Sequence, residues 1–285
     1  MGRKRTSGIR RRASVVNGIF YPSNREIMTA RLFSWGLREG SLSTAFGGQA
    51  ILAPHGAWDI TGNIAASAFA AIQEKIKKNG RPISRILLLG KYHNSGEEGV
   101  YLSESDSFET PLGDIPVDQK LNRKLASCSA LIGLNDIPHL SEHCLEVLLP
   151  LVRYCFPAAK IVPILMSGTR PDLVSVLARA LRMVLEEHME ESLVVISSTV
   201  SQDPDPVIAL SMAYEFRSLL ENMDTQTFLA RLGTGHISAC GGALLGAVLE
   251  SGLLKGKRFS TLCPLAQDTG EKGEIFYFGA FASGD

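Results

Sequence analysis

Short runs of aliphatic and β-branched residues alternate along this chain with longer stretches in which apolar positions recur every three or four residues. The short runs are QAILAP (49–54), RILLLG (85–90), AKIVPILM (159–166) and SLVVISS (192–198), with a late EIFYFGAF (274–281) that reads as an edge strand. Near-continuous apolar runs of this length predict strands buried on both faces. The stretches between them predict the crossover helices that parallel strands require. Residues 60–80 are Ala-rich, carry Lys in the last turn and close on Gly80. Residues 141–156 place Leu145, Leu148, Leu149, Val152 and Phe156 on one stripe, with Ser141 as N-cap and a kink at Pro150. Residues 170–191 form the clearest amphipathic pattern, with His188 as a cation near the helix C-terminus. The fold class that follows is α/β, a single domain with a mostly parallel central sheet flanked by helices.

Composition narrows this picture. At 285 residues and 45% hydrophobic content the chain can bury one large core, and no repeat or linker divides it. Formal net charge is +0, yet six of the 29 basic residues stand in the first twelve positions, so the rest of the chain is acidic. The basicity is thus a leader, expected to be disordered over residues 1–15 ahead of a domain over 16–285, and no specific nucleic-acid binding is expected of it. No apolar secretory core follows the arginines. The five cysteines are scattered without a CxxC, as in a reducing compartment. No window reaches the roughly 18 uninterrupted apolar residues of a membrane span. A cytoplasmic protein without a membrane partner is the expectation.

Ligands of open α/β sheets gather beyond the carboxyl ends of the strands, and unusual residues stand there. The first predicted strand leads to His55, the second to Lys91 and His93, and the fourth to Ser197, Ser198, Thr199 and Gln202. Two imidazoles brought together by adjacent strand ends have the chemistry to hold a metal or share a proton, although a lone loop histidine is commonly inert. Cys240 stands ahead of the small-residue stretch GGALLGAVLE, where a helix N-terminus favours a thiolate, and His236 lies four residues upstream, within reach of the same cleft. Buried free cysteine as a small hydrophobe is the plainer reading. SEHCLE sets Glu142, His143 and Glu146 within one helical face, which a solvated surface would explain equally well. FETPLGDIPVD (108–118) packs Glu109, Asp114 and Asp118 around two prolines and predicts a rigid, extended loop, while His139 reads as an ordinary loop residue.

Taken in order, VNGIFYPS, ILAPHGAW, ILLLGKYHN, FETPLGDIPVD, SEHCLEVLLPLV, IVPILMSG, LVVISS and ISACGGALLGAVLE resemble the successive motifs of the Memo family, also known as AmmeMemoRadiSam system protein B. The resemblance runs from about Val16 onward and implies a fold related to class III extradiol ring-cleavage dioxygenases. It implies pocket and metal roles for His55, His93 and Cys240, with Lys91, Thr199 and Gln202 at neighbouring motif positions, and the residue reading above adds His143 and His236 to the pocket. Iron or copper is the implied metal, and radical-SAM and AmmeCR1-like proteins are the implied partners. Two departures stand out. The family's SSDxxH motif reads SSTVSQ here, with Thr199 at the acidic and Gln202 at the histidine position, and GPxH reads GKYH, with Lys91 in place of proline. Three chemistries therefore remain open: a metal-dependent redox enzyme, a pocket that binds a small molecule or an acidic or phosphorylated peptide, and a hydrolase with Cys240 as nucleophile.

Overall fold

The structure, a computed structural model, describes residues 10–40, 49–73, 82–94, 96–263, 265–270 and 273–284. Its central sheet has eight strands: β1 (Gln49–Ala53), β2 (Arg85–Lys91), β3 (Gly99–Leu102), β4 (Ile132–Leu134), β5 (Lys160–Ser167), β6 (Ser192–Ser197), β7 (Arg258–Thr261) and β8 (Ala280–Ser283). They lie in the order β7-β8-β1-β6-β2-β5-β3-β4. The four central strands β1, β6, β2 and β5 are mutually parallel. β8 pairs antiparallel with β1 and β7, and β3 pairs antiparallel with β5, so the sheet is mixed.

Side chains of a strand alternate between faces, and both faces of this sheet are covered. Ala50, Leu52, Leu87, Leu89, Val194 and Ile196 point into one core, with the amphipathic helix Pro171–Leu185 and the almost wholly buried helix Gly242–Glu250 packed on it. Ile51, Ala53, Ile86, Leu88, Leu193 and Val195 point into the other, under the helices Arg25–Ser34, Trp58–Gln73 and Leu149–Cys155. Two-sided burial is why these strands read as continuous apolar runs.

Several expectations need correction. The predicted edge strand at 274–281 is two strands: Gly273–Tyr277 belongs to a separate antiparallel sheet with Ser201–Asp203 and Ala266–Gly270, and β8 joins the main sheet inside β7. The change occurs at Gly279, where a Cβ would stand 2.9 Å from the Ile64 carbonyl oxygen, so the chain runs against the helix Trp58–Gln73 more closely than a side chain permits. That helix ends its described span at Gln73, and the predicted terminus at Gly80 lies outside the described residues. The helix expected over 141–156 is interrupted: Ser141 ends a short helix Ile137–Ser141, and a new one starts only at Leu149. Pro150 therefore sits in the first turn, where its missing N–H costs nothing, and kinks no helix. The amphipathic helix ends at Leu185, and His188 lies beyond it beside Glu191 at 3.3 Å.

The basic leader is not disordered up to residue 15. Arg11–Arg12 form a strand paired with Ser107–Phe108, and residues 1–9 alone lie outside the description at this end. The acids of the 108–118 segment hold it: Arg11 meets Asp114 at 2.7 Å and Glu109 at 3.1 Å. Asp118 instead meets Arg85 at 2.8 Å and caps the helix Gln119–Ala126 through the Leu121 N–H. Arg12 is 1% exposed. Its guanidinium pairs with Glu146 and donates to the carbonyls of His139 and Glu142, both at 2.8 Å. Glu146 also accepts from the Val15 and Val16 N–H groups and the Tyr21 hydroxyl. His139 is buried in the helix Ile137–Ser141 with its Nε2 3.1 Å from the Tyr101 carbonyl, a structural residue and not a loop one.

A buried ion pair broken on one side leaves an uncompensated charge, which costs about 3–5 kcal/mol. Arg12→Ala is therefore expected to destabilise the protein by an amount of that order in urea unfolding. A loss below about 1 kcal/mol, typical of an exposed pair, would contradict the assignment of this arginine to the core.

Candidate functional site

The parallel strands β1, β6, β2 and β5 end on one edge, and the residues just past them converge. β6 lies between β1 and β2, so His55 and His93 do not come from adjacent strands as expected. They meet because β6 ends on the small Ser197, with Ser198 just past it, and the imidazoles close across it to a ring separation of 5.3 Å. The segment following the short helix Ile137–Ser141 brings a third imidazole: His143 lies 5.2 Å from His93 and 5.8 Å from His55 between ring centres. Its approach depends on Gly90, where a Cβ would fall 2.4 Å from Cys144 Sγ. One nitrogen from each of these three histidines lies within 4.8 Å of the others.

The orientation of each ring follows from its hydrogen bonds. Ser197 donates its single hydroxyl proton to the Cys144 carbonyl at 2.7 Å, so its oxygen, 2.9 Å from His55 Nδ1, must accept from that nitrogen. His55 Nε2 is left facing Cys240 Sγ at 3.5 Å. His93 repeats the arrangement. Its Nδ1 lies 3.0 Å from Glu142, whose carboxylate also accepts the backbone N–H groups of His93, His143 and Cys144. Burial alone would raise the Glu142 carboxyl, but these bonds and the His93 charge outweigh it and hold it at about 2. An ionised carboxylate only accepts, so His93 Nδ1 carries a proton and Nε2 is the nitrogen free for the cavity.

Cys240 completes the group. Its sulfur accepts the Thr199 N–H at 3.1 Å, and its own N–H donates to Thr199 Oγ1 at 3.1 Å, a reciprocal clamp that spends the Thr199 side chain. Burial opposes ionisation of the thiol, but the charges and hydrogen bonds of His55 and His93 outweigh it and hold the group well below the usual thiol range. The same contacts, with Glu142, overcome the burial of His93 and raise it to about 9. Burial and the charge of His55 lower His143 to about 4, so its ring is neutral near pH 7. Cys144 is different: it is fully buried, donates to the Lys91 carbonyl at 3.1 Å, and burial pushes its thiol well up.

These groups face a cavity of about 550 Å³. Lys91, Thr199 and Gln202 line it, as do Leu232, Ile237 and Tyr277. His236 does not. It is exposed, with Nδ1 2.8 Å from Thr234 Oγ1, and lines a separate surface depression with Arg231. The reason is local: His236 N–H caps the preceding helix Thr225–Gly233 at the Arg231 carbonyl, and it is the buried Ile237 that turns inward. Tyr277 and Ile275 reach the cavity from the small sheet, a contribution the sequence did not single out. Burial, with the charges of Asp268 and Cys240, pushes the Tyr277 hydroxyl up to about 12.

Residues 11–266 match the family described as Memo-like protein. The chain belongs to the Memo family. Memo relatives include a MEMO1 family protein of Aeropyrum pernix, 27% identical over 274 residues that span 92% of this chain and 96% of that one. A MEMO1 family protein of Pyrococcus furiosus is 32% identical over 194 residues, 66% of this chain and 63% of its own length. Among solved structures, an uncharacterized protein from Escherichia coli K12 superimposes with a TM-score of 0.52 over 82% of this chain and 98% of that one, at 15% identity. That likeness bears on the fold alone. No helix among the described residues of this Memo protein is long and apolar enough to cross a membrane.

A thiolate reacts with alkylating agents where a thiol does not. In metal-free protein, iodoacetamide is expected to modify Cys240 with a pH midpoint below the ordinary thiol value of about 8.5, while buried Cys144 and Cys155 stay protected, as read by peptide mass mapping. Modification of Cys240 only above pH 8.5 would contradict the thiolate.

Proposed function

We propose that this Memo-family protein is a metal-binding redox protein whose centre is formed by His55 Nε2, His93 Nε2 and the Cys240 sulfur, with His143 as an additional imidazole donor. The observation that carries this reading is the shared orientation of the two strand-end histidines. Each has Nδ1 tied behind the site, one by Ser197 and one by Glu142, and each is left with Nε2 for the cavity that Cys240 borders. Backing a ligand imidazole with a carboxylate or other acceptor fixes its tautomer and raises its basicity. Nitrogen and thiolate donors together suit iron or copper.

When bound, such a metal supplies one-electron redox chemistry and an open Lewis-acidic position. The chain's own residues supply the rest. Glu142 holds His93 through both its ring and its backbone, and Thr199 N–H stabilises the Cys240 sulfur as a thiolate. The resemblance to extradiol dioxygenases does not carry ring cleavage to this chain. The corner that would supply an acid and a histidine holds Thr199, already engaged with Cys240 N–H, and Gln202, a neutral amide. The hydrolase reading has a Cys240–His55 pair, but the backbone N–H groups beside the sulfur are already spent. Cys240 N–H is bonded to Thr199 and Gly241 N–H to Ser198 Oγ at 2.8 Å.

Anaerobic titration with iron(II) or copper(I) is expected to give about one metal per chain, with affinity reduced at least about tenfold in His93→Ala. Because His93 carries its Nε2 proton below about pH 9 and a metal must displace it, affinity is expected to rise with pH through neutrality. Metal binding that appears only in Gln202→His, or wild-type affinity in His93→Ala, would overturn this reading.

A further inference from the structure

The cavity holds a cation that the metal reading leaves unused. Lys91, the last residue of β2, lines the cavity, and its ammonium forms no ion pair or hydrogen bond with any described residue. Among the described residues no aspartate or glutamate lines the cavity. Of the carboxylates that act on the cavity groups, Glu142 is spent behind the histidines on His93, His143 and Cys144, and Asp268 bears on the Tyr277 hydroxyl. His93 Nδ1 already lies 3.0 Å from Glu142, and Lys91 is the one lysine or arginine among the described residues that line the cavity.

Neutral donors accompany it. The Gln202 side-chain amide and the Tyr277 hydroxyl both belong to the lining, and neither has a hydrogen-bond partner among the described residues. Polar groups that line a cleft and are not spent on the protein itself are available to a complementary ligand. The rest of the wall is apolar: Leu232 and Ile237 are 8% and 5% exposed, and Ile275 stands with them. A few convergent polar groups on an apolar wall, in a volume within about 300–1,000 Å³, is the usual composition of a small-molecule site.

We propose that this cavity binds a small monocarboxylic acid with an apolar body, its carboxylate on Lys91, Gln202 and Tyr277 and its hydrocarbon part against Leu232, Ile237 and Ile275. One lysine with neutral donors balances a single negative charge, whereas a phosphate dianion calls for clustered cations and arginine forks. The inference names the substrate class of the centre proposed above and rests on that reading of the cavity as the working site. It does not require that a metal be present.

The test is calorimetric titration of metal-free wild-type protein with hexanoate, its neutral isostere hexanamide, and phenyl phosphate. Hexanoate is expected to bind at least about tenfold more tightly than hexanamide, the usual scale of a charge-assisted contact. Lys91→Gln is expected to lose about that factor, and Lys91→Arg, which keeps the charge, to stay within about threefold of wild type. The arginine variant separates loss of charge from loss of fold. Equal affinity for acid and amide, undiminished hexanoate binding in Lys91→Gln, or tighter binding of phenyl phosphate than of hexanoate would each overturn the inference. Since these titrations use metal-free protein, the two readings fail separately. A chain that holds iron(II) but does not discriminate hexanoate from hexanamide refutes the carboxylate site alone, and the converse pattern refutes the metal centre alone.

Discussion

The Glu142 carboxylate is the constraint on which the site depends. It is 3% exposed, and it spends its oxygens on one imidazole and three backbone N–H groups drawn from two distant parts of the chain. Those bonds tie the loop after β2 to the segment after Ser141, which is how His93 and His143 come to stack at 5.2 Å. A buried carboxylate is tolerable only because every bond favours its charged form. The same backbone is gripped from the other side, since Arg12 donates to the Glu142 carbonyl and pairs with Glu146 four residues on. A basic segment near the start of the chain thus stabilises the loop that carries the third histidine, although it touches none of the donor atoms.

This arrangement explains what could and could not be read in the residues. β1, β2, β5 and β6 were legible because strands buried on both faces are apolar at every position, and Pro171–Leu185 because its apolar period matches a helix. His55, His93 and Cys240 were legible as strand-end or pre-helix residues with chemistry of their own. The 141–156 segment misled because its leucines follow a helical period yet pack from a loop, a single turn and a helix that starts only at Leu149, with Glu142 and Glu146 buried where a solvated face was one of two readings. His236 misled because nearness in sequence to Cys240 says nothing about the turn that sends it outward and Ile237 inward.

Arg12 and Glu142 carried more signal than their sequence readings gave them. Three arginines near one end and Glu104, Glu109 and Asp114 along 104–114 are complementary charges, and charge complementarity between segments points to pairing as well as to solvation. Glu142 beside His143 is likewise a carboxylate next to an imidazole, the pattern that backs metal-bound histidines elsewhere. What no pattern in one sequence supplies is the crossing of β6 between β1 and β2, which decides that Ser197 and not a bulky residue lies beneath the imidazoles.

The proposed centre and the lysine share one cavity, whose lining holds the three imidazoles and Cys240 together with Lys91, Gln202 and Tyr277. Everything functional rests on the claim that the Cys240 sulfur and the strand-end imidazoles can hold one ion together. Cobalt(II) titration under argon, followed by absorbance, tests this most directly, because a cobalt-bound thiolate gives a charge-transfer band that imidazole and water do not. The account predicts such a band saturating at about one cobalt per chain and vanishing in Cys240→Ser. A cobalt spectrum without sulfur character in the wild type, or one unchanged by the substitution, would contradict it.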